Sequence, residues 1–512
     1  MKYEKLVRYV DASHPIVYIN TFEEIKADRI LSKIAKETAR SVYEWDNSHG
    51  FRIWDEKNGN IIKKKMGILG FADELSSESL IEFLEMYRKE KNKLDGKIIV
   101  LKDVHHFIED PKVISLMKDL SNEILKGLEC TVFIVSPKVV LPCELANYTD
   151  IEEIGYLEDF EIREIIDEFI DDYEVEDVSE EVKEKFKNLL KGLKEHEIKN
   201  ILADSLSSNE GSLSKESFKL IYEQKKQTIK KSNILEMINV KEGKDDVGGL
   251  EELIKWVSRK AFVFDQLDKA KQFGVDMPKG VFIVGLPGCG KSLSAKAIAG
   301  IFDMPLLRMD LGRILGKYVG DSEQNMRNAI ALAEAISPCV LWVDEIEKAF
   351  SGIGDNSGNE VTKRLFGNFL TWMQEKESPT FVVATANDIL KMPPELVRKG
   401  RFDEMFYVGL PNFEERKKIF EIHIGKRRRV DLVDIDLKKL ANCTEGFSGA
   451  DIEGVVKEAI EDVFYNGENK LTDDILLKTI KNTESLSKIM GSKLDDLEKE
   501  YKIRNFKKAS KY

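Results

Sequence analysis

Eight consecutive residues carry the strongest chemical signal in the chain. Gly285-Leu-Pro-Gly-Cys-Gly-Lys-Ser292 fits the pattern GxxxxGK[ST], follows an apolar run and opens the helical stretch Leu293–Ile301. Gly285, Gly288 and Gly290, interspersed with Pro287 and Cys289, let backbone N–H groups curl around the β- and γ-phosphates of a nucleotide. Lys291 would neutralise the γ-phosphate and Ser292 would ligate Mg²⁺. Cys289 reads as loop filler, not as a nucleophile.

A second signal is the apolar run Cys339-Val-Leu-Trp-Val343, which ends in the adjacent carboxylates Asp344 and Glu345. Such a pair suits a Mg²⁺ partner, Asp344, beside a water-polarising base, Glu345, at one sheet edge. Asn387 closes a third apolar run. Its amide is placed to orient an attacking water, although a turn residue is the plainer reading of the same position. Arg398 and Arg401, three apart around Lys399-Gly400, suit contact with a developing phosphate charge or, without context, simple surface solvation.

These residues need a parallel sheet to hold them. Val281–Val284, Val340–Val343 and Phe381–Ala384 read as buried strands separated by helices, and after Pro411 the pattern becomes helical only. The first part of the chain repeats the alternation. Strands are expected at 15–20, Lys97–Lys102 and Thr131–Ser136, and helices at Glu78–Lys91 and Val113–Lys126, followed by acidic helical sequence from Asp159. A faint internal repeat links the halves. Thr131-Val-Phe-Ile-Val-Ser136, then Pro142 and Glu144-Leu145, parallels Thr380-Phe-Val-Val-Ala-Thr385, then Pro394 and Glu395-Leu396. The first copy has no Gly-rich loop, and Asp103-Val-His-His106 stands where a carboxylate pair would fall.

Composition bounds the rest. The 512 residues predict about three domains, and 42% hydrophobic content supports proper cores. Lys+Arg is 79 and Asp+Glu 92, a net charge of −13, which disfavours a protein whose main task is coating nucleic acid. The basic run Lys426-Arg-Arg-Arg429 is short and lacks interleaved aromatics. No apolar stretch approaches the ~20 residues of a membrane span. The five cysteines, with no CxxC pair, suit a reducing, cytoplasmic setting.

The second half resembles the AAA family of ATPases. Asp246-Val-Gly-Gly-Leu250 resembles the family's adenine-pocket motif, Gly285–Ser292 its phosphate loop, and Val340–Glu345 its acidic strand. Ala384-Thr-Ala-Asn387 matches the first sensor, Arg398–Asp403 the arginine-finger segment, His423 the histidine near ribose and adenine, and Gly446–Asp451 the second sensor region. The resemblance implies that Asp246, Val247, Gly248, Leu293, His423, Gly449 and Ala450 join the phosphate loop in binding ATP with Mg²⁺. A closer resemblance, over most of the chain, is to the poorly characterised AAA ATPases first noted as a hypothetical chloroplast reading frame, the ycf-forty-six type. It rests on Ser337–Phe350, Phe369–Lys376, Phe381–Asn387, Leu486–Met490 and Ala509-Ser510.

The expected fold is α/β: a P-loop NTPase AAA+ module with helical lid, preceded by a degenerate AAA-like α/β domain. Expected boundaries are a first domain without phosphate loop over 1–230, a linker over 231–244, a large α/β subdomain over 245–410, a lid over 411–485, and a charged terminal helix with a loose end over 486–512. The resemblance implies ATP hydrolysis in a homo-oligomeric ring, expected to be a hexamer. Lys291, Asp344, Glu345 and Asn387 would act in cis, and Arg398 and Arg401 would reach a neighbour's site. Tyr318-Val319 resembles a substrate-gripping pore loop, an aromatic–aliphatic wedge against an unknown protein client; a core tyrosine in an ordinary turn is the alternative. The competing functional reading is an ATP-gated scaffold that threads nothing, with the acidic 159–184 region offered to a basic partner. A zinc protease is disfavoured, because His196-Glu-Ile-Lys-Asn200 lacks the closing histidine of HExxH.

Overall fold

Runs rich in Val, Ile and Phe with no polar alternation must be buried on both faces, and a mainly parallel sheet provides that burial. The computed structural model describes residues 2–57, 60–65, 79–89, 94–175, 178–208, 213, 217–231, 234–314, 319–350, 359–389, 392, 396, 398, 400–491 and 493–511. The chain divides into two units, one of residues 1–188 with 193–214, the other of 189–192 with 215–512.

The first unit holds β1 (Ile16–Asn20), β2 (Ser41–Asp46), β3 (Gly50–Lys57), β4 (Asn60–Lys65), β5 (Lys97–Lys102), β6 (Cys130–Ser136) and β7 (Thr149–Glu153). They form a sheet of order β4-β3-β2-β5-β6-β1-β7, parallel except for the β2–β3–β4 meander. The period of two is visible in its cores. Ile16, Tyr18, Ile99, Leu101, Val132 and Ile134 pack on one face, and Val17, Ile19, Ile98, Val100, Phe133 and Val135 on the other.

The second unit holds β8 (Leu235–Ile238), β9 (Gly280–Gly285), β10 (Leu306–Met309), β11 (Cys339–Val343), β12 (Thr380–Ala386), β13 (Glu404–Val408) and β14 (Lys507–Lys508). Their order is β14-β13-β9-β12-β11-β10-β8, with β8 antiparallel to β10. Helices Phe413–Arg428, Leu437–Cys443, Gly449–Tyr465 and Asp473–Asn482 follow and close on a core of Phe420, Ile424, Ile452, Val456 and Leu476. Capping boxes start two of them, from Asn412 with Glu415 and from Ser448 with Asp451.

The internal repeat is a repeat of topology. The order β7-β1-β6-β5-β2 in the first sheet matches β13-β9-β12-β11-β10 in the second. Ile98 pairs with Thr131, and Cys339 pairs with Thr380. Superposing the two threonine-led strands therefore puts Asp103 on Asp344, Val104 on Glu345 and Lys138 on Asn387. In the first unit β1 passes to the helix Glu24–Glu37 through Thr21-Phe22-Glu23, with no glycine. At that same carboxyl edge the charges close on one another. Lys102 Nζ lies 2.8 Å from Asp28 Oδ1, Lys63 Nζ lies 2.6 Å from Asp28 Oδ2 and 2.8 Å from Glu44 Oε2, and Arg52 pairs with Glu44 and Asp46.

Two segments depart from the sequence reading. Residues 235–238, read as part of a linker, pair as an edge strand. The last residues are not loose. After the helix Lys493–Ile503, Phe506 packs on Phe282, Tyr501 stacks on Tyr407, and β14 joins β13. Buried Tyr501, Phe506 and Ala509 supply the apolar contacts, and the surrounding lysines hid them from a reading by composition.

A very tight backbone approach between strands occurs at Gly280, where a Cβ would stand 2.2 Å from the Val382 carbonyl oxygen. Gly280→Ala is expected to cost about 1–3 kcal/mol by forcing β9 from β12, read as a lower midpoint of thermal unfolding with nucleotide absent. An unchanged melt would show that the strands part freely there.

Candidate active site

β9 delivers the glycine-rich loop to the carboxyl edge of the second sheet, the edge where open α/β sheets place ligands. Gly288 has φ 74° and Gly290 φ 94°, left-handed values that favour glycine. A Cβ on Gly288 would also meet Ala450 Cβ at 2.8 Å. Gly290 caps the helix Lys291–Phe302, whose first N–H groups open on the cavity. Lys291 is buried, and its Nζ donates to the carbonyls of Gly285 at 2.8 Å and Leu286 at 2.7 Å. Burial pulls its pKa below that of an ordinary lysine. Burial pushes the Cys289 thiol up to about 12, which leaves it protonated and fits its reading as filler.

β11 and β12 bring the acidic pair beside this loop. Thr385 Oγ1 donates to Asp344 Oδ1 at 2.7 Å and accepts the Glu345 N–H at 3.3 Å. Asp344 Oδ2 faces Arg308 at 3.3 Å. Glu345 has φ 48°, an uncommon backbone for a residue with a side chain, of the kind that gathers at functional sites. Its Oε1 accepts from Asn387 Nδ2 at 3.1 Å, and its Oε2 pairs with Lys348. The Lys348 ammonium, joined by the Asn387 amide, holds the Glu345 carboxyl below the usual carboxylate range against a desolvation that raises it. Asn387 is itself fixed, its N–H donating to Glu347 Oε1 at 2.9 Å.

The far end of the cavity is built by the segment before helix Glu251–Asp265 and by the helical lid. Asp246 bonds Lys426 at 2.7 Å and the Gly243 N–H at 2.9 Å, and these hold its pKa down. A Cβ on Gly248 would stand 2.6 Å from Ile419 Cγ1. The Ala450 N–H donates to the Gly288 carbonyl at 2.9 Å and so ties the start of helix Gly449–Tyr465 to the phosphate loop. His423 Nδ1 is buried without a hydrogen-bond partner among the described residues, and burial lowers the ring's pKa.

Together these groups line one cavity of about 680 Å³. Asp246, Val247, Gly248, Pro287, Gly288, Cys289, Gly290, Lys291, Ser292, Leu293, Asp344, Glu345, Asn387, His423, Gly449 and Ala450 all face it, and Gly285 contributes through its carbonyl. The features fit a nucleotide: an orphaned imidazole nitrogen, glycines packed too closely for any side chain, and an ammonium above a helix start. Ser292 and Asp344 offer hydroxyl and carboxylate oxygens, the hard donors that Mg²⁺ prefers alongside phosphate and water. Arg398 and Arg401 stand apart. Neither lines the cavity, Arg398 is exposed and Arg401 half-buried. Tyr318 lies outside the described residues, and Val319 begins the helix Val319–Ile336.

Sequence reasoning overlooked Thr385, Glu347, Lys348 and Arg308. A hydroxyl near the end of the strand Thr380–Ala386, after the apolar run 381–384, was the available signal for Thr385. Arg308 shows only through the pairing of β10 with β11.

Residues 281–410 match the model of the ATPase family associated with various cellular activities (AAA), and 434–476 match the AAA+ lid domain. Residues 2–153 match the N-terminal domain, and 160–232 the second domain, of SpoVK-like AAA ATPases. The chain is 35% identical over 491 residues to the uncharacterized AAA domain-containing protein ycf46 of Guillardia theta, covering 95% of this chain and 92% of that one. The ycf46 protein of Gracilaria tenuistipitata is 35% identical, with 90% of each chain covered. The proteasome-activating nucleotidase of Aeropyrum pernix is 32% identical over 245 residues, 47% of this chain and 59% of that one.

Thr385→Val keeps shape and removes the hydroxyl that bridges Asp344 and the Glu345 backbone. It is expected to lower nucleotide hydrolysis about 10–100-fold with nucleotide affinity retained, measured by steady-state phosphate release beside equilibrium binding. Turnover at the parental rate would remove Thr385 from the machinery.

Proposed function

The chain belongs to the AAA ATPases of the ycf46 kind, and from that premise we propose that it hydrolyses ATP at interfaces between its own copies and uses the cycle to remodel a protein client. The observation that carries this reading is the shared cavity in which the phosphate loop, the Asp344–Glu345 pair and Asn387 meet. Hydrolysis there requires the γ-phosphate to be held, a water to be aimed and the developing charge to be met.

In this reading Lys291 leaves its two loop carbonyls for the β- and γ-phosphate oxygens. The loop N–H groups and the start of helix Lys291–Phe302 bind the remaining oxygens. Ser292 and Asp344 would hold Mg²⁺, which neutralises phosphate charge when bound. Glu345, kept ionised, accepts hydrogen bonds from the attacking water, while Asn387 fixes the Glu345 carboxylate and the water's line of approach. Thr385 keeps Asp344 in register. His423 offers its buried Nδ1, and Val247 and Gly248 offer backbone, to the adenosine end.

Arg398 and Arg401 lie off their own cavity, which supports a role in a neighbouring subunit's site and a closed ring, with a hexamer the proposed size. The five cysteines are free thiols, and no described helix is long and apolar enough to cross a membrane. We place the protein in the cytoplasm with no nucleic acid as its main partner. Tyr318-Val319 remains the proposed grip on the client. A nucleotide-gated scaffold would share the same site and differ in keeping partner binding when Tyr318 is truncated.

Glu345→Gln is expected to bind ATP normally while losing turnover by about 10²–10⁴-fold. Lys291→Ala should instead weaken ATP binding itself, by about 10–100-fold for the lost charge-assisted bonds. Both are measured as ATP affinity beside phosphate release, and full hydrolysis by Glu345→Gln would remove Glu345 as base.

The interface claim has its own test. A trans arginine is worth ~10³–10⁵ in rate, so activity per subunit should fall on dilution below assembly. Mixing Glu345→Gln with Arg398→Ala should restore activity that neither has alone. A constant rate per subunit on dilution, with no complementation, would sink the shared site.

A further inference from the structure

One wall of the nucleotide cavity comes from the far end of the sequence. Ser510 lines it, nearly buried, two residues after a strand that pairs with β13 in parallel register. The preceding residue is fully buried and bonded on both sides. The Ala509 N–H donates to the Tyr407 carbonyl at 3.0 Å, and the Ala509 carbonyl accepts from the N–H groups of Glu252 at 3.0 Å and Leu253 at 3.2 Å.

Those two N–H groups belong to the first turn of helix Glu251–Asp265, where intrahelical partners are lacking. The N-cap residue Leu250, left-handed at φ 60°, has no side chain that can cap this helix, and its own N–H donates to Glu415. Its start is therefore satisfied by a backbone carbonyl from the opposite end of the unit's sequence. The residues just before that start, Val247 and Gly248, are the ones that face the cavity beside Ser510. On the other side, the Leu286 N–H of the phosphate loop donates to the Val408 carbonyl at the end of β13, 3.3 Å away. The segment thus braces the Val247-Gly248 wall directly and lies against β13, the strand whose end bonds the phosphate loop. It is anchored upstream by Phe506 against Phe282 and by Tyr501 against Tyr407.

We propose that Phe506–Ser510 is a positioning element of the ATP site, which holds the Val247-Gly248 wall in place and presents the Ser510 hydroxyl to the base-and-ribose end of the nucleotide. The proposal rests on the reading of this cavity as the ATP site and adds to it a binding residue outside the phosphate-loop, sensor and lid motifs.

The test is calorimetric titration of the full chain with ADP, alongside steady-state ATP hydrolysis and thermal melting. Ser510→Ala is expected to weaken ADP binding and raise KM for ATP by about 3–10-fold, the worth of one hydrogen bond. Its kcat at saturating ATP and its melting midpoint should remain at the parental values, a split that a merely structural role would not give. A chain ended after Arg504 should lose more affinity, through the freed start of helix Glu251–Asp265. If the parent fails to bind ADP, the reading of the cavity fails. If the parent binds and Ser510→Ala binds as tightly with unchanged KM, this inference is overturned and the ATP site stands. Should the shortened chain lose its cooperative melt, the Ser510→Ala result decides alone.

Discussion

A buried ammonium is the constraint on which the second unit is built. Lys291 is buried, so its ammonium needs oxygen partners. Two backbone carbonyls, Gly285 and Leu286, serve that purpose. A carboxylate in their place would bind far more tightly in a desolvated site and would compete with phosphate. The carbonyls are fixed in turn by strand pairing. Gly285 approaches the Val408 carbonyl so closely that a Cβ would stand 2.1 Å from it, and Leu286 bonds the same carbonyl. The end of β13 therefore sets where the Lys291 ammonium sits.

The first unit illustrates what happens to the same topology when that constraint is lifted. The strand order is kept, and so is the burial of both sheet faces. At the carboxyl edge, however, Lys102 and Lys63 face Asp28 and Glu44 directly. The cations already have strong partners, and a phosphate would have to displace carboxylates to reach them. Val104 stands at the position of Glu345, so the acidic pair is not repeated there. The fold survives because packing needs only the apolar alternation. The glycine-rich turn and the second acid are what is missing: Thr21-Phe22-Glu23 holds no glycine, and of the acidic pair only Asp103 is kept.

This division also explains what could be read in the chain before its structure. The phosphate loop, the acidic pair and Asn387 are local: each is a short motif whose spacing is its geometry, and all of them line one cavity. The parallel strands were legible as unbroken apolar runs. Groups whose role depends on register were not. Thr385 acts through its neighbour across β11–β12, Glu415 through a bond to the Leu250 N–H 165 positions earlier, and Ala509 through helix Glu251–Asp265. The last strand was hidden for a further reason. Its two paired residues are lysines, exposed on an edge, and the burial that holds it comes from Phe506 and Ala509 on either side.

The lid contacts show how a change at the phosphates can reach the rest of the chain. Among the described residues, bonds join the helices after Pro411 to the walls of the cavity: Ala450 N–H to the Gly288 carbonyl, Lys426 to Asp246, and the Leu250 N–H to Glu415. Each has one partner in the nucleotide cavity or in the loop beside it. None lies deep in the lid's own core, which is closed separately by Phe420, Ile424 and Val456. The lid's own core is thus separate from the polar ties that meet the cavity. Nucleotide at Gly288, Asp246 and Val247 would touch the residues that make those ties.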